Sequence, residues 1–167
     1  QLLAHQMQTL ARAITEGEIG AAERQLQALT EPTPGHVAAS LTVLARGRNW
    51  PSLTSNERAD PSPAAAATLG GDRAVRWWDE AGTLVRSRVV RVDGDRATLR
   101  LVGERGVTFP AVQVYLLEPE SPSAGEAAEL GMAALAAGAV IRARLWCACA
   151  LARGGGDRAE LLRAALP

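Results

Sequence analysis

The first 48 residues have the spacing of amphipathic helices. Four apolar residues recur three or four positions apart, which places them on one helical face: Leu3, Met7, Leu10 and Ile14. The segment "EGEIG" then interrupts the pattern at Gly17 and Gly20. A second run has Ala22, Leu26 and Leu29 on one side and ends before Pro32. A third short helix is expected over 37–46, so residues 1–48 are predicted to form a helical unit.

The next segment, 49–69, shows no sustained period. It contains three prolines and many small polar residues in "NWPSLTSNERADPSPAAAATLG". This composition predicts a linker or an irregular packed segment, with a boundary near residue 68.

Residues 70–118 change to the alternation of β-strands. The runs "RAVRWW", "TLVRSRVVRV", "RATLRLV" and "VTFPAVQVYLL" are separated by turn residues. Between the second and third runs, "VDGDRA" is typical of a tight hairpin, because Asp-Gly accepts the positive φ that such a turn requires. Pro110 predicts a break or a sheet edge in the last run. Four to five short strands within fifty residues predict a small, strongly bent antiparallel barrel.

The last part, 119–167, returns to helical spacing. Ser123 and Glu126 have the separation of a capping box, which predicts a helix from there to about Ala137. A second helix is expected over 140–153. After "GGG", Asp157 and Glu160 repeat the capping separation before a short third helix over 158–166. The fold class predicted for the whole chain is therefore α+β: a helical N-terminal unit, a small antiparallel barrel and C-terminal helices.

Composition narrows the function classes. The 18 basic residues, all arginine, balance 18 acidic ones, so the chain lacks the cationic excess of a protein that wraps DNA or lies on a membrane surface. The longest apolar run is too short to cross a bilayer. Two cysteines only two positions apart favour a reducing, intracellular location, cytoplasmic or nuclear.

The strand block 70–118 resembles a Tudor-type barrel, one of the SH3-like small barrels. The likeness is carried by the opening glycine, the "DE" with glycine before the second strand, "RSRV", the hairpin and the third strand that ends at glycine. The resemblance implies a cage of aromatic rings that binds methylated lysine or arginine. Where such proteins have an aromatic in the second strand, this sequence has Val85 and Arg86, and "VGERG" follows its third strand. Only Trp77 and Trp78 remain for such a cage.

The N-terminal "LARAITEGEIGAAERQLQAL" is loosely similar to the tethering helices of linear-ubiquitin-ligase subunits, which pair with a partner by helix packing. The amphipathic spacing itself makes the face of Leu3, Met7, Leu10 and Ile14 the expected surface for docking a helix of another protein.

The tryptophans and the hairpin arginines each allow two interpretations. Trp77 and Trp78 could belong to a ligand surface, or one could fill the barrel core while the other packs on a flanking helix. The hairpin arginines are expected on one outer face of the sheet, either as a phosphate-binding patch or as a solvated face with salt bridges; they are Arg86, Arg88, Arg96 and Arg100.

No catalytic, nucleotide-binding or metal-binding motif is present, and Cys147 and Cys149 are expected to be buried structural residues. We therefore expect a non-enzymatic module without a cofactor. Its expected role is that of an adaptor that binds a peptide or helix of a partner protein through the barrel groove or the helical face. Nucleic-acid binding through the arginines and methylated-peptide recognition are the alternatives. The sequence leaves partner identity and oligomeric state open.

Overall fold

The computed structural model describes residues 2–28, 69, 71–79, 81–103 and 108–167. Within these residues it contains five α-helices and one antiparallel sheet of five strands. The helices are α1 (Leu2–Glu16), α2 (Ile19–Ala28), α3 (Ala124–Ala136), α4 (Val140–Ala152) and α5 (Asp157–Ala165). The strands are β1 (Ala74–Trp78), β2 (Leu84–Asp93), β3 (Arg96–Leu101), β4 (Thr108–Gln113) and β5 (Glu118–Pro119), with a 3₁₀ turn at Val114–Leu116. The α+β class is thus confirmed, while the helix predicted over 37–46 and the linker predicted over 49–69, except for the buried Leu69, lie outside the described residues.

The N-terminal helices are separated by a turn that only glycine fits well. Gly17 has φ +80°, and a Cβ built there would lie 2.6 Å from Cγ of Pro122. Gly20, in contrast, lies inside α2 and does not interrupt it. Both α1 and α2 pack against α4, so helices from the two ends of the described chain share one hydrophobic core.

The sheet has the strand order β4-β3-β2-β1-β5, with every pair antiparallel. Gly94 takes φ +63° in the two-residue loop between β2 and β3, as the Asp-Gly signal predicts. The alternation in β3 also holds, because Ala97 and Leu99 are buried whereas Arg96 and Arg100 are exposed. A shift in register at Val89 to Arg91 marks a bulge that adds to the curl of the sheet.

The predicted barrel is a half-barrel among the described residues. β4 and β5 form the two edges, and no pairing joins them. The physical reason lies in β5, which has only two residues and pairs with Val75 and Arg76 alone. The concave face is closed by the helices instead, since its apolar side chains belong to the same core as α3 and α4. The Tudor or SH3 identity of this sheet stays a prediction.

The C-terminal helices follow the sequence signals closely, with one correction. Ser123 and Glu126 form the predicted capping box at the start of α3: the Ser123 side chain accepts from the Glu126 N–H at 3.1 Å, and the Ser123 N–H donates to Glu126 at 3.0 Å. The cap predicted at Asp157 is wrong. Gly156 occupies the cap position without a side-chain hydrogen bond, and Asp157 is the first residue of α5. At this position the negative charge of the Asp157 carboxylate interacts favourably with the positive end of the helix dipole.

Candidate interaction surface

The sheet presents an outer face that is open to solvent. Arginines and aliphatic residues make up most of its exposed side chains. The exposed arginines are Arg86, Arg88, Arg91, Arg96 and Arg100, and the exposed aliphatic residues are Leu84, Val90 and Val102. We call this set of eight residues the outer sheet face. The structure thus places the four hairpin arginines singled out from the sequence on one face, as the strand alternation predicts.

The strand register brings arginines directly opposite one another. Arg76 of β1 is opposite Arg86 of β2, and Arg88 of β2 is opposite Arg100 of β3. Side chains at such positions have Cβ atoms about 5 Å apart, and like charges there destabilise a sheet. The sequence pattern could not reveal this, because it gives the face of each residue but not its cross-strand neighbour.

Carboxylates balance only part of this charge. Asp72 accepts from Arg100 at 3.0 Å, and Asp93 pairs with Arg91 at 3.0 Å. Arg88 donates to the backbone carbonyl of Asp72 at 2.9 Å. The side chain of Arg86 makes no ion pair or hydrogen bond with any residue that the structure describes. The outer sheet face therefore keeps positive charge that a ligand could neutralise.

Three aliphatic side chains lie among these cations. Leu84 is 39% exposed, Val90 47% and Val102 56%. Arg86 lies between two of them: Leu84 is two positions earlier on the same side of β2, and the N–H of Val102 donates to the carbonyl of Arg86 at 3.2 Å. The surface thus offers apolar contact and cationic hydrogen-bond donors side by side.

The two tryptophans of β1 pack within the fold, which is the second of the two interpretations given above. Trp77 is buried on the concave face, and its indole N–H donates to the Ser87 hydroxyl at 3.2 Å. Trp78 is half-buried beside α2, and the guanidinium of Arg24 lies 3.5 Å from the centre of its ring. Neither ring is an open wall of an aromatic cage. Sequence reasoning missed Arg24, which lies more than fifty positions away and has no local signal.

The predicted helix-docking face is used inside the chain. Leu10 is 2% exposed and Ile14 1%, and both belong to the core where α1 packs against α4. Met7 is half-buried, and the side chain of Leu3 lies outside the described residues. The helical partner of these residues is therefore a helix of the same chain, at least at Leu10 and Ile14.

A buried polar junction joins the sheet to the helices. Glu118 is 2% exposed and accepts a hydrogen bond from the Gly20 N–H at 3.1 Å, at the start of α2. Burial raises the pKa of Glu118, although that hydrogen bond and the nearby charge of Arg142 act in the opposite direction. A Cβ on Gly20 would collide with the indole of Trp78, so the absence of a side chain at Gly20 lets α2 pack close to Trp78.

Arg142 completes this junction with every contact directed inward. It donates to the Tyr115 carbonyl at 2.9 Å, to Glu23 at 2.9 Å and to the Leu116 carbonyl at 3.3 Å. Since Arg142 is only 7% exposed, these bonds fasten α4 to α2 and to the 3₁₀ turn. The junction thus holds α2, α4 and the 3₁₀ turn together.

Cys147 and Cys149 are buried, as predicted, and burial raises the pKa of each thiol to about 12. In the described part of the chain, no three His, Cys, Asp or Glu side chains come together as a metal site. No described helix is long and apolar enough to cross a membrane.

Comparison with known family models, curated proteins and solved structures finds no match for this chain. The geometry of the outer sheet face is therefore the basis for a functional interpretation.

Proposed function

We propose that the chain is a non-catalytic interaction module, an adaptor that binds a peptide or helix of a partner protein. The observation that carries this proposal is the composition of the outer sheet face, where exposed aliphatic and arginine side chains lie side by side. Arginine is enriched at protein interfaces, and apolar contact with nearby hydrogen bonds is the usual basis of peptide binding.

The other features support an interaction role over an enzymatic one. The buried carboxylate of Glu118 caps a helix, and the thiols of Cys147 and Cys149 are enclosed and protonated at neutral pH. Burial inside the fold explains the raised pKa values of Glu118, Cys147 and Cys149. These shifts therefore give no reason to infer a catalytic role for the three residues.

Selection from a random peptide library displayed on phage tests the proposal. The full chain is immobilised, and enriched peptides are synthesised and titrated against it in solution. We expect peptides that bind with a defined stoichiometry and compete with one another for one surface. Failure of every enriched peptide to bind in solution would contradict the proposal.

Nucleic-acid binding is the alternative that a specific observation favours, namely the unneutralised charge at Arg86 and Arg88. A phosphate backbone would be attracted to the same face. Fluorescent single- and double-stranded oligonucleotides, titrated at low salt against the chain and against a variant with Arg86→Glu and Arg100→Glu, test it. Salt-sensitive binding that the double reversal abolishes would favour this alternative over the adaptor role.

A further inference from the structure

The outer sheet face concentrates like charge at a cost to the fold. Arg76 opposite Arg86 and Arg88 opposite Arg100 are unfavourable cross-strand pairs in a chain with no net charge. Three carboxylates offset part of this charge: Asp72 lies 3.0 Å from Arg100, Glu18 lies 3.9 Å from Arg76, and Glu118 of β5 is paired opposite Arg76. A negatively charged ligand would reduce the repulsion between these arginines. The planar guanidinium binds a carboxylate through two parallel hydrogen bonds, which makes an acidic ligand the complementary one.

The aliphatic residues decide between two kinds of acidic ligand. Leu84, Val90 and Val102 stand between the arginines and would lie against a ligand bound there. The charged phosphates of a nucleic acid offer these side chains no apolar contact, and single-stranded nucleic acid would need open aromatic rings to stack its bases. Trp78, which is opposite Leu84 on this side of β1, is already stacked with Arg24. A peptide with aliphatic side chains beside its carboxylates matches both parts of the surface.

We infer that the outer sheet face binds an acidic segment of a partner protein in which carboxylates are interspersed with aliphatic side chains. This inference rests on the proposed interaction function and names the ligand chemistry and the residues of the surface. Arg86 lies at its centre, with Leu84 and Val102 as apolar neighbours and with Arg88 and Arg100 as further cations.

Fluorescence anisotropy with defined peptides tests the inference on the full chain. The probe is a labelled peptide of alternating glutamate and leucine. The comparison ligands, of equal length, are polyglutamate, a peptide of alternating lysine and leucine, and a single-stranded oligonucleotide. We expect the glutamate–leucine peptide to bind more tightly than polyglutamate, the lysine peptide not to bind, and the affinity to fall as salt is raised.

Matched variants locate the surface. Arg86→Glu should weaken the glutamate–leucine peptide about five- to twentyfold, the loss expected when an exposed pairing becomes a repulsion. Arg12→Glu in α1 makes the same charge change at another exposed arginine without an ion pair among the described residues, and it should leave affinity unchanged. Val102→Thr should weaken binding roughly threefold by removing apolar contact, whereas Ile141→Thr, at another exposed aliphatic residue, should not.

The outcomes separate the inference from the proposed function. Peptides from the phage selection that lack acidic residues and bind Arg86→Glu as well as the unchanged chain would overturn the inference and leave the interaction function standing. An oligonucleotide that binds through Arg86 while no peptide binds would overturn both. Equal losses in Arg86→Glu and Arg12→Glu would show a general charge effect and would also overturn the inference.

Discussion

Changing Arg86 to glutamate is predicted to stabilise the fold. Arg86 is directly opposite Arg76, so the change turns a like-charge pair into an opposite-charge pair. A cross-strand pair contributes roughly 0.2–1 kcal/mol, and both the lost repulsion and the new attraction count, which gives a range of about 0.4–2 kcal/mol. Arg86 is exposed to solvent, and Arg76 already has Glu18 at 3.9 Å and Glu118 opposite it on β5, so the expected gain is about 0.5–1 kcal/mol.

Urea unfolding at low ionic strength measures this gain. Arg86→Gln should give about half of it, because the repulsion is removed without a new attraction. Arg12→Glu is the control for total charge and should shift the midpoint little. The gain should shrink in about 1 M salt, where the screening length falls to about 3 Å. A free energy of unfolding that falls in Arg86→Glu, or a gain that salt leaves unchanged, would refute the reasoning about the outer sheet face.

Three further predictions concern the interior. Because the pKa of Glu118 is raised in the folded chain, the free energy of unfolding should fall as pH rises from 4.5 through that raised pKa. Urea titrations across this pH range should show that Glu118→Gln lacks this pH-dependent contribution. Trp146 is fully buried with its indole N–H unpaired among the described residues, so calorimetry should show a loss of at most about 1.5 kcal/mol in Trp146→Phe against about 3–5 kcal/mol in Trp146→Ala. A Cβ on Gly131 would collide with Leu162, so Gly131→Ala should cost about 1–2 kcal/mol in urea unfolding, whereas Gly125→Ala, which meets nothing closer than 3.7 Å, should cost nothing.

Features encoded by neighbouring residues could be predicted from the sequence. The hairpin turn at Gly94 depends on a two-residue signal, and the box of Ser123 with Glu126 depends on a separation of three. The side of the sheet on which Arg86 and Arg100 lie depends only on alternation along a strand. Each of these is fixed by backbone geometry within a few residues, so it holds whatever the rest of the chain does.

Features that depend on distant contacts could not be predicted. Closure of the sheet depends on how many residues of β5 pair with β1, and the sequence around Glu118 does not give that number. Gly20 has the appearance of a helix break, but it allows α2 to approach Trp78. The burial of Leu10 and Ile14 requires knowledge that α4, more than a hundred residues later, packs on α1. In each case tertiary packing decides between two uses of the same local pattern.

The same limit applies to the outer sheet face. Alternation predicts which arginines share a side of the sheet. It does not predict their ion-pair partners, because Asp72 and Glu18 lie outside the strands that carry Arg100 and Arg76. The lack of a described partner for Arg86 follows from that arrangement and is visible only in three dimensions.

Backbone amide chemical shifts in the ¹⁵N-labelled full chain, recorded during titration with the glutamate–leucine peptide, test the central claim most directly. We expect the largest changes on β2 and at the end of β3, at Leu84, Arg86, Arg88, Arg100 and Val102. Changes confined to α1 or α5, with the amides of these five residues unmoved at saturation, would contradict the assignment of the outer sheet face as the binding surface.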